Sequence, residues 1–523
     1  MERTRQNTEF LNLEEQKEKV KGVPTVLIVP PSPFLTDQRV FPQLGILKVA
    51  AELRNNKNPV TVLDLSGYNN YPEIIREFCR SDNSVNYCFS ATTPQIPFAA
   101  QVAQIVKEEK PEANLVLGGP HVTLAYSAYM RDMITGQTRR GTETFEQLKG
   151  YFNTLVAGDG EMAIFYAIDK NPRSIIDASS RKSPLFLKRG TLENFARPAR
   201  DLIDLESYKY YIKEREGSFR ATSVIAQLGC PFECGFCGGR NSDFLRLTRT
   251  RNVGDVIEEI SEVVLASENW EEPIRGIMFY DDELNVSPGS LEELCIGLIE
   301  MQREMGVQMA FRGFVKAELF TKKQAELMYR AGFRVLLTGV ESGSDEILTA
   351  MKKHTTRDIN SRCVKLAHDA GLSVKFLMSI GHPGETRNTI NESVKWVLAN
   401  YREGDDVDWT VITQFPGSKY FDDSIYVPSE DAWLYIAHNG SRLWSKQVDY
   451  IHEATYYKGI PGEYTAYVWT DELSPDDLVS LRDEAESITR SIMGLPNIMS
   501  VEPNPFEHSM GQGLPPQILK TSP

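Results

Sequence analysis

The sequence predicts an α/β protein built on two unlike parallel sheets: a doubly wound, Rossmann-like sheet first, then an incomplete barrel of six βα units, followed by a small C-terminal domain. Three observations predict it. Short β-branched runs alternate with amphipathic stretches from Thr25 to about Asp169, the pattern of successive βα units. A second such series runs from Arg220 to about Asp422. Between them, Lys170 to about Arg220 lacks a clear repeat and holds Pro172, Pro184 and Pro198, as a connection between domains does. At 523 residues the chain also exceeds what one hydrophobic core usually organises.

In chain order, residues 1–22 are mostly polar or charged and read as an N-terminal arm or surface helix. They carry no apolar core resembling a signal peptide, which points to the cytoplasm. Residues 23–180 form the first domain, with TVLIVP, PVTVLDL, SVNYCFS, ANLVLGG and NTLVAGD as strands. Gln43 to Asn55, Tyr71 to Arg80 and Pro94 to Glu109 carry apolar residues at helical spacing. The polar segment from Thr135 to Gln147 reads as a surface loop, and Gly160 and Glu161 open another helix. Residues 181–219 are the linker. Residues 220–421 hold the barrel strands ATSVIAQL, IRGIMFYD, VQMAFRGF, FRVLLTGV, SVKFLMSIG and DWTVITQF, separated by helices such as Val253 to Ala266 and Ser290 to Met305. In residues 422–523 the period turns irregular and aromatic before one more helix from Pro475 to Met493. The closing NPFEHSMGQGLPPQILKTSP has too many turn formers for a long helix.

Lysine and arginine number 57 against 72 aspartate and glutamate, a net charge of −15. That balance opposes phosphate neutralisation and disfavours a nucleic-acid partner. No apolar run approaches the roughly 18 residues of a membrane span. Of 7 cysteines, Cys79, Cys88, Cys295 and Cys363 sit singly in apolar segments, as buried reduced thiols do. The other three cluster.

GCPFECGFCGG places Cys230, Cys234 and Cys237 directly after the first barrel strand, on a loop tight enough to aim all three thiolates inward. Chemistry in such barrels gathers at the carboxyl ends of the strands. Three cysteines hold a cubane iron–sulfur cluster with one iron open to an exchangeable ligand. Three cysteines with a histidine would instead suit zinc, although no histidine lies between Cys230 and Cys237 or soon after. The cysteines alone leave both readings open.

CxxxCxFC, followed by Gly238 and Gly239, resembles the signature of the radical S-adenosylmethionine superfamily. IMFYDDELNVS, then GVESGSDEIL with Lys352 and Lys353, then SIGHPGET resemble that family's second-, fourth- and fifth-strand segments, in the right order. The resemblance implies a [4Fe-4S] cluster on Cys230, Cys234 and Cys237, whose open iron chelates the amino and carboxylate groups of S-adenosylmethionine. One electron, from a flavodoxin- or ferredoxin-like donor or a chemical reductant, then splits the sulfonium into methionine and a 5′-deoxyadenosyl radical. It further implies Asp281, Asp282 and Glu283 for the cofactor's ammonium, Glu341 and Ser342 for its ribose, and Arg312 for its carboxylate. Gly381, Pro383 and Gly384 would pack the adenine, and Phe236 matches the family's aromatic position. Helix capping explains Asp281 and Asp282 as readily, a turn explains Gly381, Pro383 and Gly384, and an aromatic at Phe236 also simply excludes water.

An open parallel sheet binds its ligand at the carboxyl edge, near a topological switch point. FSATTPQ, LGGPHVT and AGDGE end the third, fourth and fifth strands. Ser90, Thr92, Thr93, Gly118, Gly119, Gly158 and Gly160 would therefore line one rim, with Pro120, His121 and Glu161 beside them. These segments, with FPQLGILKVAAEL and RPARDLIDLESY, resemble the cobalamin-binding domain and connecting segment of the class B radical S-adenosylmethionine methyltransferases, over about Pro24 to Pro496. The resemblance implies bound cobalamin and methylation of an unactivated carbon of a small-molecule or natural-product substrate: the radical abstracts a hydrogen, and the substrate radical takes a methyl from methylcobalamin. The alternatives are a rearrangement, cyclisation or oxidation without methyl transfer, and a non-catalytic cobalamin- or cluster-binding sensor. One departure is that the loop after the first strand, PPSPFLTDQRV, lacks the histidine of the DxHxxG motif. The lower axial position is then empty, filled by water or served by another residue. His121 is the nearest candidate, with a hydrogen-bonded structural role as its alternative. A domain that keeps the fold without cobalamin is a further reading. Trp433, Trp444, Tyr456, Tyr457, Tyr464 and Trp469 suit either a substrate wall or an ordinary core.

Overall fold

The computed structural model describes residues 12–33, 35, 38–136, 139–214, 217–239, 241–456 and 464–496. Tyr457 and the closing segment lie outside them.

The first sheet has six parallel strands: β1 (Thr25–Val29), β2 (Val60–Asp64), β3 (Asn86–Ser90), β4 (Asn114–Gly118), β5 (Thr154–Gly158) and β6 (Ile175–Ala178). Their order is β2-β1-β3-β4-β5-β6, so the winding reverses between β1 and β3. Helices cover both faces, and β1, TVLIV, is buried throughout, which is why it reads as a continuous apolar run rather than an alternating one. β6 lies in the stretch that looks irregular in sequence, because it is a four-residue edge strand. The expected surface loop at Thr135 to Gln147 is corrected: Arg140–Lys149 is a helix that buries Arg140, Gly141, Thr144, Phe145 and Leu148. Its inner face is built mostly from small and polar residues, so the apolar period is faint. At Gly141 a β-carbon would come within 2.9 Å of Ala128, so the two helices nearly touch.

The second sheet comprises β7 (Tyr210–Glu214), β8 (Gly217–Val224), β9 (Gly276–Phe279), β10 (Ala310–Phe314), β11 (Phe333–Glu341), β12 (Ser373–Ile380) and β13 (Asp406–Val411). Its order is β13-β12-β11-β10-β9-β8-β7, with β8 to β13 parallel and in sequence order. These are the six expected barrel strands. β7 is an addition, antiparallel to β8 and lying inside the expected linker. Alternation divides the strands: Ile277, Phe279, Phe311 and Leu336 face the helices, while Met278, Ala310, Val335 and Leu337 face inward. Val40 and Phe41, from the loop after β1, join that inner layer, with Phe41 4.5 Å from the Tyr210 ring. Arg39 anchors the loop beside Asp64 at 3.4 Å and on the Ser66 carbonyl at 2.8 Å. The loop that lacks a histidine is thus a strut between the two domains.

At the C-terminal end, β14 (Ile425–Val427), β15 (Ala432–Ile436), β16 (Arg442–Ser445) and β17 (Val468–Trp469) form a small antiparallel sheet. The helix Pro475–Ile492 follows, opened by a capping box between Ser474 and Asp477. It lies against β13, where the Trp409 indole donates to Thr489 Oγ1 at 3.0 Å, and its Leu478, Leu481 and Ala485 belong to the barrel's own apolar core. Among the described residues no helix is long and apolar enough to cross a membrane.

Candidate active site

The loop after β8 carries the three cysteines, with Cys234 buried and Cys230 and Cys237 half-buried, none in a disulfide. Its backbone is pinned from three sides. Cys230 N–H donates to the Leu245 carbonyl at 2.9 Å, Gly235 N–H to the Met351 carbonyl at 2.8 Å, and Tyr420 N–H to the Gly235 carbonyl at 3.0 Å. Gly235 rests on the Tyr420 ring so closely that a β-carbon would lie 2.4 Å from Cε1. Among the described residues no three His, Cys, Asp or Glu side chains close around a single metal ion. Three thiols spread along one loop instead suit a cubane, in which each thiolate takes a different iron. Cys79, Cys88, Cys295 and Cys363 are buried, and burial pushes their thiols up, Cys79 to about 11 and Cys295 and Cys363 to about 12.

The three acidic residues after β9 diverge. Asp281 is buried and accepts from the backbone N–H groups of Ala226, at 3.0 Å, and Gln227, bracing the chain just before the cysteine loop. Burial pushes its carboxyl up to about 8 against those hydrogen bonds. Asp282 turns toward the cavity under the first sheet. Glu283 faces the cysteine side: burial raises it to about 7, with Lys353 and Lys316 pulling it back. Its Oε2 is buried without a hydrogen-bond partner, a vacancy that fits the ammonium of S-adenosylmethionine.

Glu341 ends β11 with a φ of 65°, in the left-handed region that a non-glycine residue rarely adopts. Its Oε1 lies 3.3 Å from Lys353 Nζ and its Oε2 accepts from Ser379 Oγ at 2.8 Å. Gly339 leaves room for that pair, since a β-carbon there would lie 2.5 Å from Glu341 Oε1. Burial opposes the charge on Lys353, but Glu341, Cys234 and Glu283 outweigh it and raise its pKa. Lys316 lies over the Phe232 ring at 4.3 Å and 2.7 Å from Glu318. Acids and lysines therefore crowd the loop side where a zwitterionic cofactor would sit.

Other expected contacts lie elsewhere. Ser342 is spent on Ser393 Oγ at 3.1 Å and on the N–H of Ser344. Arg312 points into the barrel and donates to the Tyr210 hydroxyl. Gly381, with φ of 87°, and Pro383 form the buried turn into the helix Arg387–Asn400, and Phe236 meets His382 edge-on at 5.2 Å. Lys316 escaped the sequence reading, and Lys353, Ser379 and His382 were given no role there. Lys353, Ser379 and His382 lie within the quoted motifs, but nothing in a sequence says which way they face.

The carboxyl edge of the first sheet meets the barrel mouth across a cavity of about 390 Å³. Ser90, Gly118, Gly119, Pro120, Gly158, Gly160 and Glu161 line it from the first domain, and Leu228, Leu245, Tyr280 and Asp282 from the barrel. Two of the glycines are sterically required: at Gly119, φ 97°, a β-carbon would lie 2.8 Å from the Ala91 nitrogen, and at Gly158, φ 96°, 2.4 Å from the Ala178 carbonyl. Lys48 sits 3.0 Å from Glu161 and holds it ionised despite burial. An apolar, glycine-rimmed cavity with a few polar groups fits a large flat cofactor. Thr92, Thr93 and His121 stand beside the cavity without lining it. Thr92 caps with Gln95 at 3.0 Å. His121 is buried with Nδ1 3.2 Å from Thr93 Oγ1 and its ring 5.4 Å from Tyr450, and burial lowers it to about 3. The C-terminal aromatics also lie off the cavity: Trp444 stacks on Trp469 at 6.4 Å, Trp433 lies over Arg140 at 4.8 Å, and Tyr464 donates to the Val411 carbonyl at 3.0 Å.

Two family models match the chain: the radical SAM superfamily over residues 224–397 and the B12 binding domain over residues 35–149. A relative in Pyrococcus horikoshii, the uncharacterized methyltransferase PH0819, is 24% identical over 78% of this chain and 84% of its own length. The anaerobic magnesium-protoporphyrin IX monomethyl ester cyclase of Rubrivivax gelatinosus is 26% identical over 64% of this chain, which spans 57% of it. Among solved structures, the radical S-adenosylmethionine methyltransferase TsrM from Kitasatospora setae, with cobalamin and a [4Fe-4S] cluster bound, superposes with a TM-score of 0.61 at 16% identity over 93% of each chain. The cobalamin-dependent S-adenosylmethionine radical enzyme OxsB, with aqua-cobalamin bound, gives 0.53 at 14% identity over 77% of this chain and 55% of that one.

Proposed function

We propose that this chain, which belongs to the radical S-adenosylmethionine enzymes that carry a B12-binding domain, is a methyltransferase acting on an unactivated carbon of a small molecule or natural product. The observation that carries the reading is the single cavity shared by the glycine rim of the first sheet and the barrel mouth, with Leu228 and Leu245 from the segments flanking the cysteine loop in its wall. A cluster and S-adenosylmethionine on the cysteine loop would supply one-electron sulfonium cleavage, and cobalamin in the cavity would supply a methyl beside them.

The chain's own residues would set the geometry. Cys230, Cys234 and Cys237 would hold the cluster, Glu283 would receive the cofactor's ammonium, Lys353 would balance Glu341, and Glu341 would hold the ribose. Asp159 and Glu161 at the rim lie too deep for bulk water to compete, and the apolar lining would protect a radical from quenching. A flavodoxin- or ferredoxin-like protein, or a chemical reductant, would supply the electron. The test is anaerobic incubation of the reconstituted chain with methyl-labelled S-adenosylmethionine, reductant and candidate substrates. Label in the product together with 5′-deoxyadenosine is the expected result; product without label contradicts methyl transfer. The cyclase relative supports one other reading, ring closure without methyl transfer, and unlabelled cyclic product would identify it.

A further inference from the structure

We propose that His382 is a positioning residue that fixes Glu341 toward the cofactor and keeps it in register with the cysteine loop. The inference rests on the reading of Glu341 as the ribose contact. Four side chains form one buried chain of hydrogen bonds. Glu341 Oε2 lies 2.8 Å from Ser379 Oγ, Ser379 Oγ lies 2.8 Å from His382 Nε2, and His382 Nδ1 lies 3.4 Å from the Tyr420 hydroxyl. The last member returns to the loop, because Tyr420 N–H donates to the Gly235 carbonyl between Cys234 and Cys237.

The direction of every bond follows from the first. An ionised carboxylate only accepts, so the Ser379 hydroxyl donates its one hydrogen to Glu341. Ser379 must then accept from His382, which requires the hydrogen on Nε2. Nδ1 is left with a lone pair and accepts from Tyr420. One tautomer satisfies the whole chain, and it is the neutral ring that burial enforces by lowering His382 to about 3. The ring is fully buried and stands edge-on to Phe236 at 5.2 Å, so it has no room to turn over.

This support has a purpose at Glu341. The residue holds a left-handed backbone conformation next to a break in the β11–β12 register, and such strain persists only where surrounding contacts over-determine it. Lys353 fixes one carboxylate oxygen and the Ser379–His382 pair fixes the other. Remove the imidazole and Ser379 Oγ can rotate away, freeing the carboxylate from one side.

The test measures S-adenosylmethionine affinity of the full chain with its cluster reconstituted anaerobically, by titration calorimetry, in E341Q, H382A, S379A and the double variant H382A/S379A. Iron content and thermal melting report cluster loading and folding. The expected result is an affinity about tenfold weaker in H382A and in S379A at unchanged iron content, with the double variant no weaker than either, since both break one chain. His382→Gln, whose amide nitrogen can donate to Ser379, should recover part of the loss. Native affinity in H382A and S379A alongside a weakened E341Q would overturn the proposal while leaving the ribose reading intact. Native affinity in E341Q itself would overturn the ribose reading first. If H382A does not fold, His382→Phe, which keeps a ring in the same space but offers Ser379 no donor, takes its place, and native affinity there alongside a weakened S379A would overturn the proposal.

Discussion

Asp281, Asp282 and Glu283 are consecutive residues whose side chains do three different things, bracing the cysteine loop, facing the cavity and facing Lys353. The sequence marks them as acids at a strand end, but direction depends on how the chain leaves β9, which only the fold decides. Asp281 is ordinarily near 3.8 and rises to about 8 in the folded chain, so the folded state binds its proton more tightly than the unfolded state does. Stability is therefore greatest below the unfolded value and declines as pH rises through the folded one. Melting temperature should fall between about pH 5 and pH 8, and D281N, which still accepts from Ala226 and Gln227, should flatten the slope by a few degrees across that range. An unchanged slope in circular dichroism melts would contradict the assignment. Glu283 and Glu385, each raised to about 7 by burial, keep the slope from vanishing.

The inner strands of the first sheet, β1, β3, β4 and β5, were legible because each runs through a two-sided core and is mostly buried along its length. Short edges were not. β6 and β7 pair on one side only and blend into the proline-containing connection, while the helix Arg140–Lys149 hides its period because an arginine, a glycine and a threonine face inward. Arg140 earns its burial through bonds to the carbonyls of Tyr420 and Phe421 and to Gln414 and Ser424, partners some 280 residues away that no local pattern announces. The glycines of CGFCGG were visible, yet their reasons were not. Gly235→Ala should push the loop off the Tyr420 ring and cut iron retained after reconstitution severalfold, with stability lowered by about 1–3 kcal/mol. Full iron content in G235A, read by colorimetric assay, would mean that the loop finds another seat.

The two domains are joined by buried contacts as well as by the chain. Arg249, paired with Leu228 beside the cysteine loop, lies 2.7 Å from Asp159 at the rim of the first sheet and donates to the Leu187 carbonyl at 2.9 Å. Burial raises Asp159 to about 7, with Arg249 pulling it down. R249A would leave that carboxyl without its cation, at a cost of about 3–5 kcal/mol. Because Asp159 can then escape by taking a proton, the loss in melting temperature should be larger at pH 9 than at pH 6. Equal losses would show that the ion pair is not what joins the domains.

The proposed function requires cobalamin beside the cluster, in the cavity between the sheet edge and the barrel mouth. Gly118 tests it without strain, because a β-carbon there would meet only ordinary contacts at 3.8 Å and a larger side chain would extend into the cavity. The measurement is cobalamin retained through anaerobic gel filtration, read by visible absorption alongside iron content, in the native chain and in Gly118→Phe. Stoichiometric cobalamin in the native chain, with most of it lost in G118F at unchanged iron, is the predicted result. A native chain that assembles its cluster yet retains no cobalamin, or a G118F chain that retains as much as the native one, would contradict it.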